Sequence, residues 1–156
     1  MSDPAARVVS INRSNGGVPK VATPHAFVSV NGLEGDDQRD RRFHGGPDRA
    51  LCVYSMDLIE ALRREGDPIG PGTTGENITI AGLDWNTMIP GARFSLGPVE
   101  IEITRFASPC QTIIASFADE RSTRISEKVH PGWSRVYARV LIEGMLTVGD
   151  LVSRKT

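Results

Sequence analysis

The sequence predicts a mainly β protein, a barrel or sandwich of about seven short strands with two inserted helices. Short apolar and alternating runs recur along the 156 residues, and 16 glycines and 10 prolines separate them. Strand and helix patterns do not alternate regularly, which disfavours a doubly wound parallel sheet. The length predicts one domain spanning residues 1–156.

Strands are predicted wherever a short segment is apolar throughout or alternates between apolar and polar residues. The clearest has Val99, Ile101 and Ile103 separated by polar residues, the pattern of a half-buried strand. In chain order, the predicted strands lie near residues 8–11, 26–30, 50–55, 78–80, 94–96, 99–103, 136–143 and 151–152.

Two helices are predicted between these strands. Ser55 precedes "MDLIEALRRE" and is suited to cap a helix that ends before Gly66. The segment 112–129 contains neither glycine nor proline, and its apolar residues recur at helical spacing, so it predicts the second helix.

Composition excludes several classes of function. The 18 basic and 19 acidic residues give a formal net charge of -1, which does not favour nucleic acid as the main partner. No apolar run approaches the roughly 18 residues of a membrane helix, and the first residues lack a signal-peptide pattern. The prediction is a cytoplasmic protein without a membrane partner, whose two cysteines are free thiols.

Two glycine-containing loops are candidate anion-binding sites. In "HGGPDR", two glycines can turn backbone N–H groups toward an anion, beside a donor, an acceptor and a cation: His44, Gly45, Gly46, Asp48 and Arg49. In "GTTGENITI", Gly75 and Asn77 could offer backbone and amide donors. The alternatives are a solvated surface loop for the first segment and a tight turn into a strand for the second.

The two cysteines lie in different contexts. Cys52 lies within the apolar run "ALCVYS" and is predicted to be a small buried hydrophobic residue. Cys110 follows the best strand in "RFASPCQT", five residues after Arg105 and just before a helix predicted to begin near Thr112. Cations and helix N-termini favour the thiolate, so local chemistry leaves both a structural and a functional Cys110 open.

Four segments together resemble the MOSC domain, which is found at the C-terminus of molybdenum cofactor sulfurases and as small stand-alone bacterial proteins. The segments are "GDDQRDRRFHGGPDRALCVYS", "GENITIAGLD", "ITRFASPCQTI" and "GWSRVYARVLIEGMLTVGDLV", in the family's order, and they cover residues from about 35 to 152. The resemblance implies a barrel-like β fold, a link to the molybdenum cofactor (molybdopterin) and a working thiol.

The resemblance also implies site residues and partners. The family's cysteine falls on Cys110, as a molybdenum ligand or as a persulfide sulfur carrier. With the loops described above, the predicted cofactor-binding residues are His44, Gly45, Gly46, Asp48, Arg49, Gly75, Asn77, Arg105 and Thr112. The 156 residues leave no room for a cysteine desulfurase domain, so sulfur or electrons would come from a partner protein.

Three hypotheses follow for the function. In the first, the chain is a molybdenum-cofactor-linked oxidoreductase component that reduces small N-hydroxylated compounds, with electrons from a redox protein. In the second, it carries sulfur as a persulfide from a cysteine desulfurase to a metal centre. In the third, it is a non-enzymatic β-barrel that binds an anion or a protein, and replacement of Cys110 would leave its function intact.

Overall fold

The structure, a computed structural model, describes residues 5–13, 19–36, 47–109, 111–119 and 121–155. Within these ranges the chain forms eleven strands: β1 (Arg7–Arg13), β2 (Val21–Thr23), β3 (His25–Ser29), β4 (Gly32–Leu33), β5 (Leu51–Ser55), β6 (Ile78–Ala81), β7 (Arg93–Leu96), β8 (Val99–Phe106), β9 (Val136–Ile142), β10 (Gly144–Thr147) and β11 (Val152–Lys155). The α-helix α1 (Met56–Arg64) follows β5 directly. The prediction of a mainly β fold is confirmed.

Eight of the strands form one large sheet that closes on itself. Its order is β11-β7-β8-β9-β5-β6-β1-β2, and β5–β6 is the parallel pair in an otherwise antiparallel arrangement. The N–H of Val8 donates to the carbonyl of Asp150 at 2.9 Å, and Arg7 bridges Leu151 just before β11. The seven strands from β11 to β1 therefore form a barrel-like ring, and β2 extends β1 beyond the point of closure.

The alternating pattern of β8 determines which of its faces lies in the core. Val99, Ile101 and Ile103 are buried, whereas Glu100 and Glu102 between them are partly exposed. The buried residues pack with apolar side chains from the other strands in one cluster. A smaller antiparallel sheet, in the order β10-β3-β4, adds Ala26, Val28, Leu33 and Leu146 to this cluster.

The helix α1 begins and ends where the sequence predicts. Ser55 is its N-cap, and the Ser55 hydroxyl accepts a hydrogen bond of 3.1 Å from the N–H of Leu58. Ile59 and Leu62 are buried against the core, and Gly66 follows the helix with φ of 102°. Because β5 and β6 are parallel, their connection must cross over, and α1 lies in it.

The second helix predicted from the sequence is not an α-helix in the described residues. Segment 112–129 instead contains parts of two short 3-10 helices, Gln111–Ser116 and Ser122–Ile125. The Asp67 carboxylate accepts the N–H of Ala118, and Asp119 accepts the N–H of Arg121, so side chains take the place of helical carbonyls. The apolar periodicity was still informative, since Phe117 and Ile125 are buried.

Two other short 3-10 helices, Pro47–Arg49 and Trp85–Thr87, complete the helical elements of the described chain. Across the described ranges, no helix combines the length and the apolar character needed to cross a bilayer.

Candidate functional site

Part of the predicted site falls outside the described residues, namely His44, Gly45, Gly46 and Cys110. Thr112 belongs to the 3-10 helix Gln111–Ser116, and its side chain is outside the described part. The remaining predicted residues can be located. They are Asp48, Arg49, Gly75, Asn77 and Arg105, and they lie in two groups connected through the strands β5, β8 and β9.

The "GTTGEN" loop is organised around a buried carboxylate that the sequence did not single out. Glu76 has no exposed surface, and its two carboxylate oxygens accept hydrogen bonds from the hydroxyls of Thr74, at 2.7 Å, and Thr79, at 3.1 Å. Burial raises the pKa of Glu76, and these hydrogen bonds oppose that rise. Gly75 adopts φ of 80°, and its N–H donates to the carbonyl of Gly72 at 3.1 Å.

Asn77, the predicted amide donor, is fully buried and hydrogen-bonded within the protein. Its Oδ1 accepts the N–H of Cys52 at 3.0 Å, and its Nδ2 donates to the Asp36 carboxylate at 2.8 Å. Nδ2 also lies 3.5 Å from the carbonyl oxygen of Asn12. The amide therefore joins β5 and β1 to Asp36, the residue just before segment 37–46, which contains His44.

Asp36 also forms an ion pair with Lys20. Lys20 Nζ lies 2.8 Å from Asp36 Oδ2, and the two side chains are only 8% and 3% exposed. The N–H of Lys20 donates to the carbonyl of Gly72 at 2.9 Å, which attaches this ion pair to the "GTTGEN" loop. Burial of both charges is tolerable here because each has a partner and Asp36 receives the Asn77 amide as well.

Cys52 is buried, as its apolar context predicts, but its surroundings are not purely apolar. Its side chain is 7% exposed and packs with Ala107 and Tyr137. Burial raises the pKa of the Cys52 thiol, whereas the positive charges of Arg135 and Lys20 oppose that effect. Cys52 is thus a protonated thiol at neutral pH, next to the segment that leads to Cys110.

Arg135 links the two loops of the candidate site and was missed by the sequence reasoning. It is 4% exposed; its Nη1 donates to the carbonyl of Thr74 at 2.7 Å and its Nη2 to the carbonyl of Ser108 at 3.1 Å. Its own carbonyl accepts the N–H of Ala107 at 2.9 Å. The signal available in the sequence was an arginine next to the apolar strand pattern in "GWSRVYARV".

A cationic face surrounds Tyr137 on β9. The Arg49 guanidinium lies 5.4 Å from the centroid of the Tyr137 ring. Arg105 is exposed and pairs with Tyr137 across β8 and β9, so the two side chains share a face of the sheet. Arg139 lies two residues after Tyr137 on β9, and its Nη2 is 3.1 Å from Oδ1 of Asp48. Three of the predicted residues, Asp48, Arg49 and Arg105, are therefore neighbours.

Cys52 connects this face to the buried loops, because it pairs with Tyr137 across β5 and β9 while its N–H bonds to Asn77. The arrangement places the guanidinium groups of Arg49 and Arg105 around Tyr137, which suits an anionic ligand. A metal ion would need other ligands, since the described residues contain no group of three His, Cys, Asp or Glu side chains that could hold one.

A surface cleft of about 500 Å³ lies elsewhere, beside the start of α1. Its walls include Asp57, Asp84, Trp85 and Trp133. None of the site residues predicted from the sequence lines this cleft. The candidate site is therefore defined by the buried loops and the arginine face.

These features define a class of protein: a small barrel-like β domain in which two polar loops, joined by a buried arginine, meet an arginine-lined face. The family model described as MOSC domain matches residues 40–153. The chain therefore belongs to the MOSC domain family.

Two curated relatives share substantial sequence with this chain. YflK from Bacillus subtilis (strain 168) is 33% identical over 129 residues, which cover 78% of this chain and 56% of YflK. YiiM from Escherichia coli (strain K12) is 36% identical over 83 residues, which cover 51% of this chain and 37% of YiiM. The match thus spans about half, or less, of the length of these relatives.

Solved structures share the fold. YiiM from Geobacillus stearothermophilus superposes with a TM-score of 0.70 at 22% identity, covering 97% of this chain and 75% of that one. The YUAD protein from Bacillus subtilis gives a TM-score of 0.71 at 17% identity, and the match covers 97% of this chain and 96% of that one. At these identities the likeness establishes the architecture alone.

Proposed function

We propose that this chain is a molybdenum-cofactor-linked protein that binds the cofactor through Cys110 and supports the reduction of N-hydroxylated compounds. The observation that carries the proposal is the bridge from Arg135 to both loops, which ties the segment leading to Cys110 to the "GTTGEN" loop. Membership of the MOSC domain family supports the link to this cofactor.

The described residues fit an anionic pterin phosphate. Arg49 and Arg105 flank Tyr137 on one face, and a guanidinium offers several N–H donors to phosphate oxygens. The buried Nε of Arg135 has no hydrogen-bond partner among the described residues, so the site retains a donor that its own loops do not use.

Each part of the site has a role in this proposal. The Cys110 thiolate is the ligand to molybdenum, and the cofactor, when bound, supplies the two-electron redox centre. Arg49 and Arg105 would hold its anionic groups, with backbone donors from Gly45 and Gly46 and side-chain donors from His44 and Thr112. Gly75, the other predicted donor, already uses its N–H in the hydrogen bond to the carbonyl of Gly72. Asn77 acts through Asp36, whose position it sets by a hydrogen bond of 2.8 Å.

The proposed reaction takes two electrons and two protons. The N–O bond of an N-hydroxylated compound breaks, the nitrogen gains one proton in place of the hydroxyl, and the hydroxyl takes the other proton and leaves as water. In this proposal the two electrons come from a partner redox protein.

Molybdenum content tests the proposal directly. We expect protein purified from a host that makes the cofactor to contain molybdenum, measured by mass spectrometry, and Cys110→Ser to lose most of it. Cys52→Ser is the matched control, since it removes the other thiol, and it should keep the metal. Molybdenum at the same low level in all three proteins would contradict the proposal.

The catalytic part needs a separate assay. With a reduced viologen dye as artificial electron donor, the loaded protein should convert N-hydroxylated amines and amidines to the reduced compounds, and Cys110→Ser should not. Protein without molybdenum that gains the mass of one sulfur atom on Cys110, after incubation with a cysteine desulfurase and cysteine, would favour the sulfur-carrier hypothesis instead.

A further inference from the structure

The surface cleft beside the start of α1 has no role in the proposed function. Its volume of about 500 Å³ lies within the range of small-molecule sites in proteins. Its walls combine apolar side chains with two carboxylates, and the described residues that line it include no lysine, arginine or histidine. The side chains that matter for its chemistry are Asp57, Asp84, Leu58, Leu83, Trp85 and Trp133.

Both carboxylates are held in place through one oxygen. Asp57 Oδ2 accepts the N–H of Gly82 at 2.8 Å, and Asp84 Oδ1 accepts the N–H of Asn86 at 3.1 Å. The second oxygen of each accepts no hydrogen bond from the described residues, and neither carboxylate forms an ion pair with them. The N-terminus of α1 adds about half a positive charge, which Asp57 in its first turn offsets, so the cleft as a whole is negative.

The cleft also has a fixed aromatic wall, because both tryptophans of the chain line it. Trp85 is held by its Nε1, which donates to the carbonyl of Ser134 at 2.7 Å. The ring of Trp133 already binds one cation, since the guanidinium carbon of Arg124 lies 4.0 Å from the ring centroid. Arg124 does not line the cleft, and its charge is paired with Glu65 at 2.8 Å. The surface that Trp133 presents to the cleft is therefore left for a ligand.

We propose that this cleft binds a small organic cation, an amidinium or ammonium group carried on an aromatic body. The cationic group pairs with Asp57 and Asp84, and the aromatic body packs against Trp85 and Trp133. Carboxylates and indole faces both attract a cation, whereas an anion would meet two like charges and a neutral ligand would gain little from either carboxylate. The cleft shares no residue with the arginine face, so this inference goes beyond the proposed function and does not depend on it.

Two probes of nearly the same shape test the charge preference: benzamidine, which is cationic, and benzamide, which is neutral. Because Trp85 and Trp133 are the two tryptophans of the chain, its tryptophan fluorescence reports on this cleft. We expect a saturable change with benzamidine, at an affinity roughly tenfold tighter than for benzamide, as two exposed ion pairs would give. Added salt should weaken the binding of benzamidine and leave that of benzamide nearly unchanged.

Substitutions that remove one charge at a time locate the binding. Asp57→Asn and Asp84→Asn each keep a side-chain oxygen that can accept the same backbone N–H, so the cleft should retain its shape. Each should weaken the binding of benzamidine about threefold and leave that of benzamide unchanged. Glu60→Gln is the matched control, because Glu60 is exposed on α1 but does not line the cleft, and it should not change either affinity.

Three results would overturn the inference. The first is the absence of a saturable fluorescence change with benzamidine, and the second is an equal affinity for benzamidine and benzamide. The third is a loss of affinity in Glu60→Gln as large as in the two aspartate variants, which would mean that net charge alone attracts the probe. None of these measurements needs the cofactor, so absence of molybdenum from the purified protein would reject the proposed function and leave this inference standing.

Discussion

Replacement of Gly72 by alanine tests the close approach that holds the Lys20 segment against the "GTTGEN" loop. Gly72 has φ of 85°, and a Cβ there would lie 2.4 Å from the carbonyl oxygen of Lys20 and 3.3 Å from Cγ of Asn12. The carbonyl belongs to the main chain and cannot rotate aside, and the N–H of Lys20 is hydrogen-bonded to the carbonyl of Gly72 at 2.9 Å. The two segments must therefore separate in Gly72→Ala.

The expected loss of stability has two parts. A left-handed backbone conformation costs an L-residue about 1–2 kcal/mol. Loss of the Lys20–Gly72 backbone hydrogen bond adds about 0.5–1.5 kcal/mol. Together these predict that Gly72→Ala lowers the free energy of unfolding by about 1.5–3.5 kcal/mol.

Gly91→Ala is the matched control. Gly91 has φ of 92°, close to that of Gly72, but no atom lies within 4 Å of the position its Cβ would take. In Gly91→Ala the free energy of unfolding should therefore fall only by the cost of the left-handed backbone conformation, about 1–2 kcal/mol. Both are measured by urea denaturation followed by circular dichroism, and the difference isolates the contact with Lys20. Equal losses in the two variants would refute the reasoning.

Three further substitutions probe other parts of the structure. Ser55→Ala removes the hydroxyl that accepts the N–H of Leu58 and should cost about 1 kcal/mol in urea denaturation, whereas Ser55→Asp should cost little. Tyr54→Phe removes the hydrogen bond of 2.7 Å to the carbonyl of Trp133 and should also cost about 1 kcal/mol; a neutral result would mean that water replaces the hydroxyl. Burial raises the pKa of Glu76 above 4.5, so the folded state holds a proton that the unfolded chain releases, and stability falls as pH rises through that window. The urea midpoint of Glu76→Gln should lack this fall as the pH rises above 4.5, and pH profiles that run parallel for the variant and the parent would contradict the prediction.

Much of the fold could be predicted because its main strands are defined by local patterns. The alternation in β8 and the serine cap of α1 both appear as predicted. The short strands β2, β4 and β10 were missed, because two to four residues are too few to display a period and owe their form to pairing partners. The prediction of a helix over 112–129 was wrong, because the carboxylate of Asp67, which is distant in sequence, accepts a hydrogen bond from the main-chain N–H of Ala118.

The candidate site was predictable only in part. Residue types and glycine spacing indicated loops suited to an anion, and Asp48, Arg49 and Arg105 lie together around β9. The sequence could not show that the Asn77 amide is bonded within the protein, since its partners Cys52 and Asp36 lie 25 and 41 residues away. It remains a prediction that Cys110 and the "HGG" segment share one pocket with these residues.

The sequence by itself determined the class of fold, the family and the residue types available for chemistry, because periodicity, capping and motif spacing are local properties of the chain. Only the tertiary structure decided the closure of the barrel between Val8 and Asp150 and the burial of Arg135 between Thr74 and Ser108. The physical reason is the same in both cases: hydrogen bonds between distant segments form only once the core has packed, and no local pattern encodes them.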